Sequence, residues 1–268
     1  MKKKLSRYWR LYRIHISTFF QSIMQSKADF FMGLFGFFMS QITGIMFLFL
    51  VFEQIPYLQG WSLEQLIFIY GFAQIPRGID HLFTDNLWML SWNIVVSGNF
   101  DRYMLRPVNL LFQVISEKLQ PNAVGELIIG VILVIRAAYK GIIKVDFIHL
   151  VLFVASVIAG ALIYTAIKLF FSSLAFWVKM SGPFLMAVYS LADFAKYPTE
   201  IYVKGIRFII TYVIPFAFVA YLPANYFIAE PRYGAGIILA EWFIAGVFCV
   251  IAGLAFKCGT YIYESTGN

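Results

Sequence analysis

From residue 30 to residue 52 the chain reads FFMGLFGFFMSQITGIMFLFLVF, without one charged side chain. A helix needs roughly 20 apolar residues to cross the hydrocarbon core of a bilayer, and a helix satisfies its own backbone polar groups there. Runs of this kind recur down the chain. Only 13% of the 268 residues are charged and 61% are apolar, against about 25% charged in soluble domains. No stretch is polar enough to fold as a soluble domain, so the fold class is an all-α polytopic membrane protein. The net charge of +7 comes from lysines and arginines near the ends of apolar spans. Anionic lipid and topology account for that placement, and nucleic acid does not.

Residues 1–28 form an amphipathic segment ahead of the membrane domain, residues 29–268. Leu5, Trp9, Tyr12, Ile16, Phe19 and Ile23 step by four and three onto one helical face. Lys3, Arg7, Arg10 and Arg13 project from the other. Two readings stand: a helix lying in the headgroup region, or one packed on the protein's own spans. The basic start leads into a mixed polar and apolar segment, so no cleavable signal is expected.

Six spans follow: near 30–52, from 63 to about 90, 108–135, 147–177, from about 183, and 236–256. Seven lysines and arginines precede the first span (Lys2, Lys3, Lys4, Arg7, Arg10, Arg13 and Lys27), and the loop EQIPYLQGW after it has none. Lysine and arginine mark the inner side, so both termini and the loop between the second and third spans are expected to be cytoplasmic. Residues 196–230 carry Pro198, Pro215 and Pro223, each a helix breaker. They read as a re-entrant outer hairpin; the rival reading makes 208–227 a full span. In that hairpin Lys204 and Arg207 stand where an anionic substrate or outer headgroups would meet them.

No G-x-x-x-x-G-K-[ST], H-E-x-x-H or G-x-S-x-G occurs, which removes ATP binding by a Walker A loop and the common zinc-protease and serine-hydrolase chemistries. The second span does hold a polar set in PRGIDHLFTD: Arg77, Asp80, His81 and Asp85. Charge at membrane depth is costly and faces protein or water. Arg77 and Asp80, three apart, are expected to pair. Structural pairing, a transport pathway and a metal set all remain open, although Asp80 and His81 point about 100° apart on a helix. Lys168 and Glu241 are expected to snorkel or to find a local partner. Ser156 with Gly160, and Ala245 with Cys249, have the small-residue spacing of helix seams. Cys249 and Cys258 lie about 13 Å apart along one helix, too far to bridge, and read as small core residues. Trp61 and Trp177 read as members of the interfacial aromatic belts.

One charged interruption is of a different kind. In SGNFDRYMLRPVN, Asp101, Arg102 and Arg106 alternate with Val95, Val96, Phe100, Tyr103, Met104 and Leu105 before Pro107. Either a short amphipathic helix presents arginines and aromatics, the residue types of binding hot spots, to a cytoplasmic partner, or a turn rests on headgroups.

Three pieces, taken in order, resemble the permease subunit of ABC-2 type exporters: IVVSGNFDRYMLRPVN after the second span, KYPTEIY with VIPFAFVAYLPANYF, and the tail FKCGTYIYESTGN. The last two are similar to a branch of bacterial permeases with uncharacterised transport roles. The resemblance implies six spans behind an N-terminal connecting helix. It makes about residues 92–107 a coupling helix, with Gly98, Asn99, Phe100, Asp101, Arg102, Tyr103, Leu105, Arg106 and Pro107 docking into a separate ATPase and the turn at Lys179 a smaller contact. It further implies two ATPase copies that hold the ATP and magnesium, no cofactor or chemistry on this chain, a second permease that is identical or homologous, and a place in the cell membrane. Thr260 and Ile262 stand where that branch is often basic. Lipid, glycan, peptide and drug exporters share this frame, so no one substrate follows. The reading from a different class is a stand-alone ion-coupled transporter or channel with Arg77, Asp80 and His81 in its pathway.

Overall fold

The computed structural model describes residues 2–25 and 27–265, with side chains in the first helix described at residues 8–18, 21 and 24. The helices are α1 (Lys2–Gln25), α2 (Lys27–Gln54), α3 (Leu63–Thr84), α4 (Asn86–Met89), α5 (Asp101–Met104), α6 (Leu110–Ser116), α7 (Val124–Tyr139), α8 (Phe147–Ser173), α9 (Ala175–Val178), α10 (Gly182–Leu191), α11 (Lys204–Phe208), α12 (Tyr221–Phe227) and α13 (Gly236–Ile262). Among the described residues there are no strands, only the isolated bridges Leu58–Trp61 and Ile143–Ile228.

Among the described residues four helices are long and apolar enough to cross a membrane: Lys27–Gln54, Pro121–Tyr139, Phe147–Val178 and Gly236–Ile262. A bent pair, Lys204–Val213 and Phe216–Phe227, makes a fifth if it is one span. The chain is therefore multi-pass. Two of the expected spans are not of the simple kind. Helix α3 is long enough but carries Glu64, Arg77 and Asp80, and α10 has only 10 residues before a 3-10 turn at Ala192–Lys196. The third apolar run is broken as well, because α6 stops at Ser116 and a new helix starts at Pro121, which has no N–H to give the preceding turn.

Helix α3 is the centre of the molecule. Ser62 starts it with a capping box: its side chain accepts from the Gln65 N–H at 3.4 Å, and Gln65 Oε1 accepts from the Ser62 N–H at 3.0 Å. From Leu66 to Pro76 every residue is buried, against α7 on one side and α8 on another. Gly160 of α8 permits the close approach. A Cβ there would come within 3.0 Å of the Val219 carbonyl and 3.1 Å of the Pro76 ring. Helix α13 packs along α8, and α2 lies outside, against α7 and α3, with most of its surface exposed.

Residues 196–230 are as irregular as their prolines demand. The chain bends by 71° between Val213 and Phe216. Across the bend Glu200 accepts from the Tyr221 hydroxyl at 2.6 and 2.7 Å, and Tyr221 packs edge-on to Trp61 at 5.7 Å. Further along the part after the bend, the Lys144 N–H donates to the Phe227 carbonyl at 3.0 Å and the Ala229 N–H to that of Ile142 at 2.9 Å. Phe216, next to the bend, packs against Tyr164 and Tyr189.

Three smaller expectations are corrected. Trp61 is fully buried under Tyr221, with the Arg232 guanidinium 4.0 Å over its ring, and is no belt residue. Cys258 is exposed; only Cys249 is partly covered. In α1 the inward rank is Tyr8, Leu11, Tyr12, His15 and Ile16, while Trp9 is exposed. Leu5, Phe19 and Ile23 of the expected face, Lys3 and Arg7 opposite it, and residues 266–268 of the tail lie outside the described residues or side chains.

Candidate functional site

Two regions carry the residues that the sequence singles out. The first is the interruption between α4 and α6. A π-helical turn, Leu90–Ile94, ends in a bend at Gly98, whose φ of 71° favours glycine. The single turn α5 follows. Phe100 is fully buried, with its ring 4.9 Å from Phe176, 5.0 Å from Tyr263 and 5.7 Å from Tyr103. Arg102 donates to Glu117 at 2.6 Å, and the Tyr103 hydroxyl donates to the same carboxylate. Burial, followed by that hydrogen bond, pushes the Tyr103 phenol above its ordinary pKa, so it stays a donor. Gln113 closes the loop by donating to the carbonyls of Tyr103 and Val108 at 3.2 and 2.9 Å.

The stretch is thus fixed to the end of the helix bundle. The Ser181 N–H donates to the Ser91 carbonyl at 2.9 Å, tying in the turn after α9. Ser265 reaches from the tail to Asp101 at 2.5 Å. Burial, and then the Asp101 carboxylate, push the Tyr263 phenol up to about 12. The Tyr8 hydroxyl accepts from the Asn109 N–H at 3.2 Å, so α1 also touches this end. The sequence reading had the aromatics facing outward; instead Phe100 and Tyr103 point in as anchors. What faces out is Asn99, Arg102, Met104, Leu105, Arg106 and Pro107, with Leu105 85% exposed. Lys179 is exposed beside them, at a φ of 64° in the left-handed region. The tail residues Tyr263 and Ser265 are a component that the sequence reading missed.

The second region lies within the bundle, where the expected Arg77–Asp80 pair does not form. The two side chains leave α3 toward different neighbours. Asp80 is sealed in: Lys168 meets Oδ2 at 2.7 Å, the Tyr189 hydroxyl donates to the same oxygen at 2.6 Å, and Thr84 and Thr165 donate to Oδ1 at 2.7 and 3.0 Å. Lys168 is fully buried, so it does not snorkel. Glu241 is buried too and accepts from Ser156 at 2.6 Å across the α8–α13 seam. Asp85 follows α3 and enters neither set of bonds.

Arg77 and His81 turn instead toward a cavity of about 670 Å³ between α2, α3, α7 and the turn after α10. Arg77 Nη1 donates to Asp193 Oδ1 at 2.7 Å, and its Nε lies 3.8 Å from Glu126. His81 Nδ1 is 3.0 Å from the other Glu126 oxygen, and Lys196 reaches Asp193 at 2.9 Å. A chain of alternating charge results: His81, Glu126, Arg77, Asp193, Lys196. Glu126, Asp193 and Lys196 were missed in the sequence, although a lone glutamate in AVGELIIGVIL and the i, i+3 pair in LADFAK carry the same signal as Arg77. Among the described residues no group of three or more His, Cys, Asp or Glu is arranged to hold a metal.

A multi-pass helical bundle with polar groups along an internal cavity, and a reinforced loop platform at one end, has the organisation of a membrane transport domain. A family model described as "ABC-2 family transporter protein" matches residues 38–267, and the chain belongs to that family. No curated protein matches it. Membership gives a permease domain and implies an ABC ATPase partner in general.

Proposed function

We propose that this chain is the permease subunit of an ATP-binding cassette exporter, with residues 98–107 as its coupling element. The observation that supports this reading is the construction of that element. Phe100 locks it to Phe176 and Tyr263, so a push on the exposed Arg102–Pro107 edge is transmitted to α9 and α13 as a rigid displacement and is not absorbed by a loop. Lys179 supplies a smaller contact. Two ATPases, each holding its own ATP and magnesium, would close and drive two permeases, identical or homologous, through alternating or lateral-gate export. This chain performs no chemistry itself.

In this reading six spans cross the bacterial cell membrane, with α3 and the segment from Gly182 completing the set, and both termini are cytoplasmic. Residues 196–230, including Pro198, Lys204, Arg207, Pro215 and Pro223, form the outer re-entrant hairpin. It is supported by the 71° bend and by contacts of the part after the bend with the Trp61 and Ile142 loops.

The first experiment is purification in mild detergent with mass spectrometry of copurifying proteins. A Walker-A ATPase in near-equal ratio to total permease is the expected result. A lone protein, repeatedly and in nanodiscs, would overturn the proposal and favour an ion-coupled transporter using the charged cavity. Arg102→Glu and Leu105→Glu should then abolish substrate-stimulated ATPase activity while membrane insertion is unchanged. Phe100→Ala should do the same by loosening the anchor.

A further inference from the structure

The charged cavity has an asymmetry that points to its occupant. Its wall holds two fixed cations, Arg77 and Lys196, and two carboxylates, Glu126 and Asp193. The carboxylates are not equivalent. The Glu126 side chain is 2% exposed and sits in the first turn of α7, held by His81 and Arg77. The Asp193 side chain is 57% exposed on a 3-10 turn and accepts from both cations through one oxygen, Oδ1. It is the most exposed member of the network, so it is the one an incoming anion can displace while the largely buried cations keep a counter-charge. With Asp193 displaced, Arg77 and Lys196 face the cavity against Glu126 alone, with one net positive charge.

The opposite wall is of another character. Gly33, Gly36, Phe37, Ser40, Gln41 and Gly44 fall on one face of α2, the outermost long helix, and none is charged. A side chain built on Gly36 would meet nothing within 4 Å. This wall borders the lipid-exposed surface of α2, where Phe35, Met32 and Met39 are exposed. The volume lies in the range of small-molecule sites.

We infer that the cavity binds an amphiphile with a single anionic headgroup, phosphate or carboxylate, which takes the place of the Asp193 carboxylate between Arg77 and Lys196 while its apolar part lies along the α2 groove. Asp193 is then a built-in competitor that neutralises the site when it is empty. This goes beyond the exporter reading, and its test does not depend on the ATPase.

The test uses the full chain in phosphatidylcholine nanodiscs, titrated with dodecyl phosphate, with bound ligand read by native mass spectrometry. Dodecyl phosphate should bind, and dodecyltrimethylammonium should not. Arg77→Gln and Lys196→Gln should each weaken binding about tenfold or more, the loss expected for one charge-assisted hydrogen bond. Asp193→Asn should tighten it several-fold, because the competitor is gone. Gly36→Phe, placed where open space allows the protein to fold, should abolish it by filling the groove. Weaker binding in Asp193→Asn, preference for the ammonium amphiphile, or unchanged binding in Gly36→Phe would each overturn the inference. Equal affinity for inorganic phosphate would overturn it too, since the apolar wall would then contribute nothing. If an ATPase copurifies and dodecyl phosphate does not bind, this inference falls and the exporter reading stands; the reverse result separates them the other way.

Discussion

Asp80 and Arg77 stand three residues apart on α3, yet one is part of a sealed charge group and the other of an open one. Asp80 has four partners from three helices and no exposure of its carboxylate. Arg77 has two, one of them the half-exposed Asp193, and borders a cavity. Sealed pairs in a low-dielectric interior are expensive to assemble and more expensive to break, because removal of one partner strands the other. In the open network one member, Asp193, is half-exposed and can be rearranged at modest cost. Holding helices together suits the first arrangement, and exchange with a ligand suits the second.

The largest effect should come from breaking the sealed pair. Asp80→Asn or Lys168→Met leaves one buried charge without its counter-ion, and each should cost about 3–5 kcal/mol. The double variant Asp80→Leu with Lys168→Met should recover most of that loss, since neither charge remains. The measurement is the fraction of protein that stays monodisperse in detergent after heating, compared across the three variants. A double variant as unstable as the singles would show that the tyrosine and threonine bonds, and not the ion pair, hold this point.

In the open network the same operation should do less. Arg77→Gln leaves Glu126 with His81 and Asp193 with Lys196, and should cost about 1–3 kcal/mol. Asp193→Asn, at the exposed end, should fall within about 0–1 kcal/mol. The order Asp80, Arg77, Asp193 is the test of the contrast. If Asp193→Asn destabilised as much as Asp80→Asn, the cavity network would be structural glue and no exchange site.

The residue pattern makes part of this legible. Long apolar runs locate α2, α8 and α13 within a few residues, and Pro215 marks the bend between Val213 and Phe216. A capping serine with glutamine three residues on starts α3 where the apolar run begins. Most partners of the charges are not legible, because they come from far away in sequence: Thr165 lies 85 residues from Asp80 and Asp193 116 from Arg77. Spacing of three on a helix makes Arg77 and Asp80 neighbours, but α8 and α10 claim Asp80 while α7 and the turn after α10 claim Arg77. The inward turn of Phe100 was hidden for a similar reason. Its pocket is made by Phe176 and Tyr263, and no local pattern in SGNFDRYMLRPVN announces them. Alternation of charge and ring implied an outward aromatic face only as long as the loop was imagined alone.

A third charge, exposed at the start of α8, gives the lower end of the scale. Asp146 caps α8 from the loop: its Oδ1 accepts from the His149 N–H at 2.9 Å. That backbone bond first, with the His149 side chain contributing, holds its carboxyl below the ordinary range. A depressed folded value means that the stabilising contribution is fully present above the unfolded value, about 3.9, and is lost as pH falls through the folded one. Asp146→Asn keeps the capping acceptor and removes the charge. Its melting temperature should therefore sit slightly below that of the unmodified protein at pH 7, and the gap should close as pH is taken below about 4. Thermal unfolding at both pH values checks this. A gap that widened on acidification would place the stabilisation elsewhere, since a carboxylate with a depressed pKa has its effect only while it is ionised.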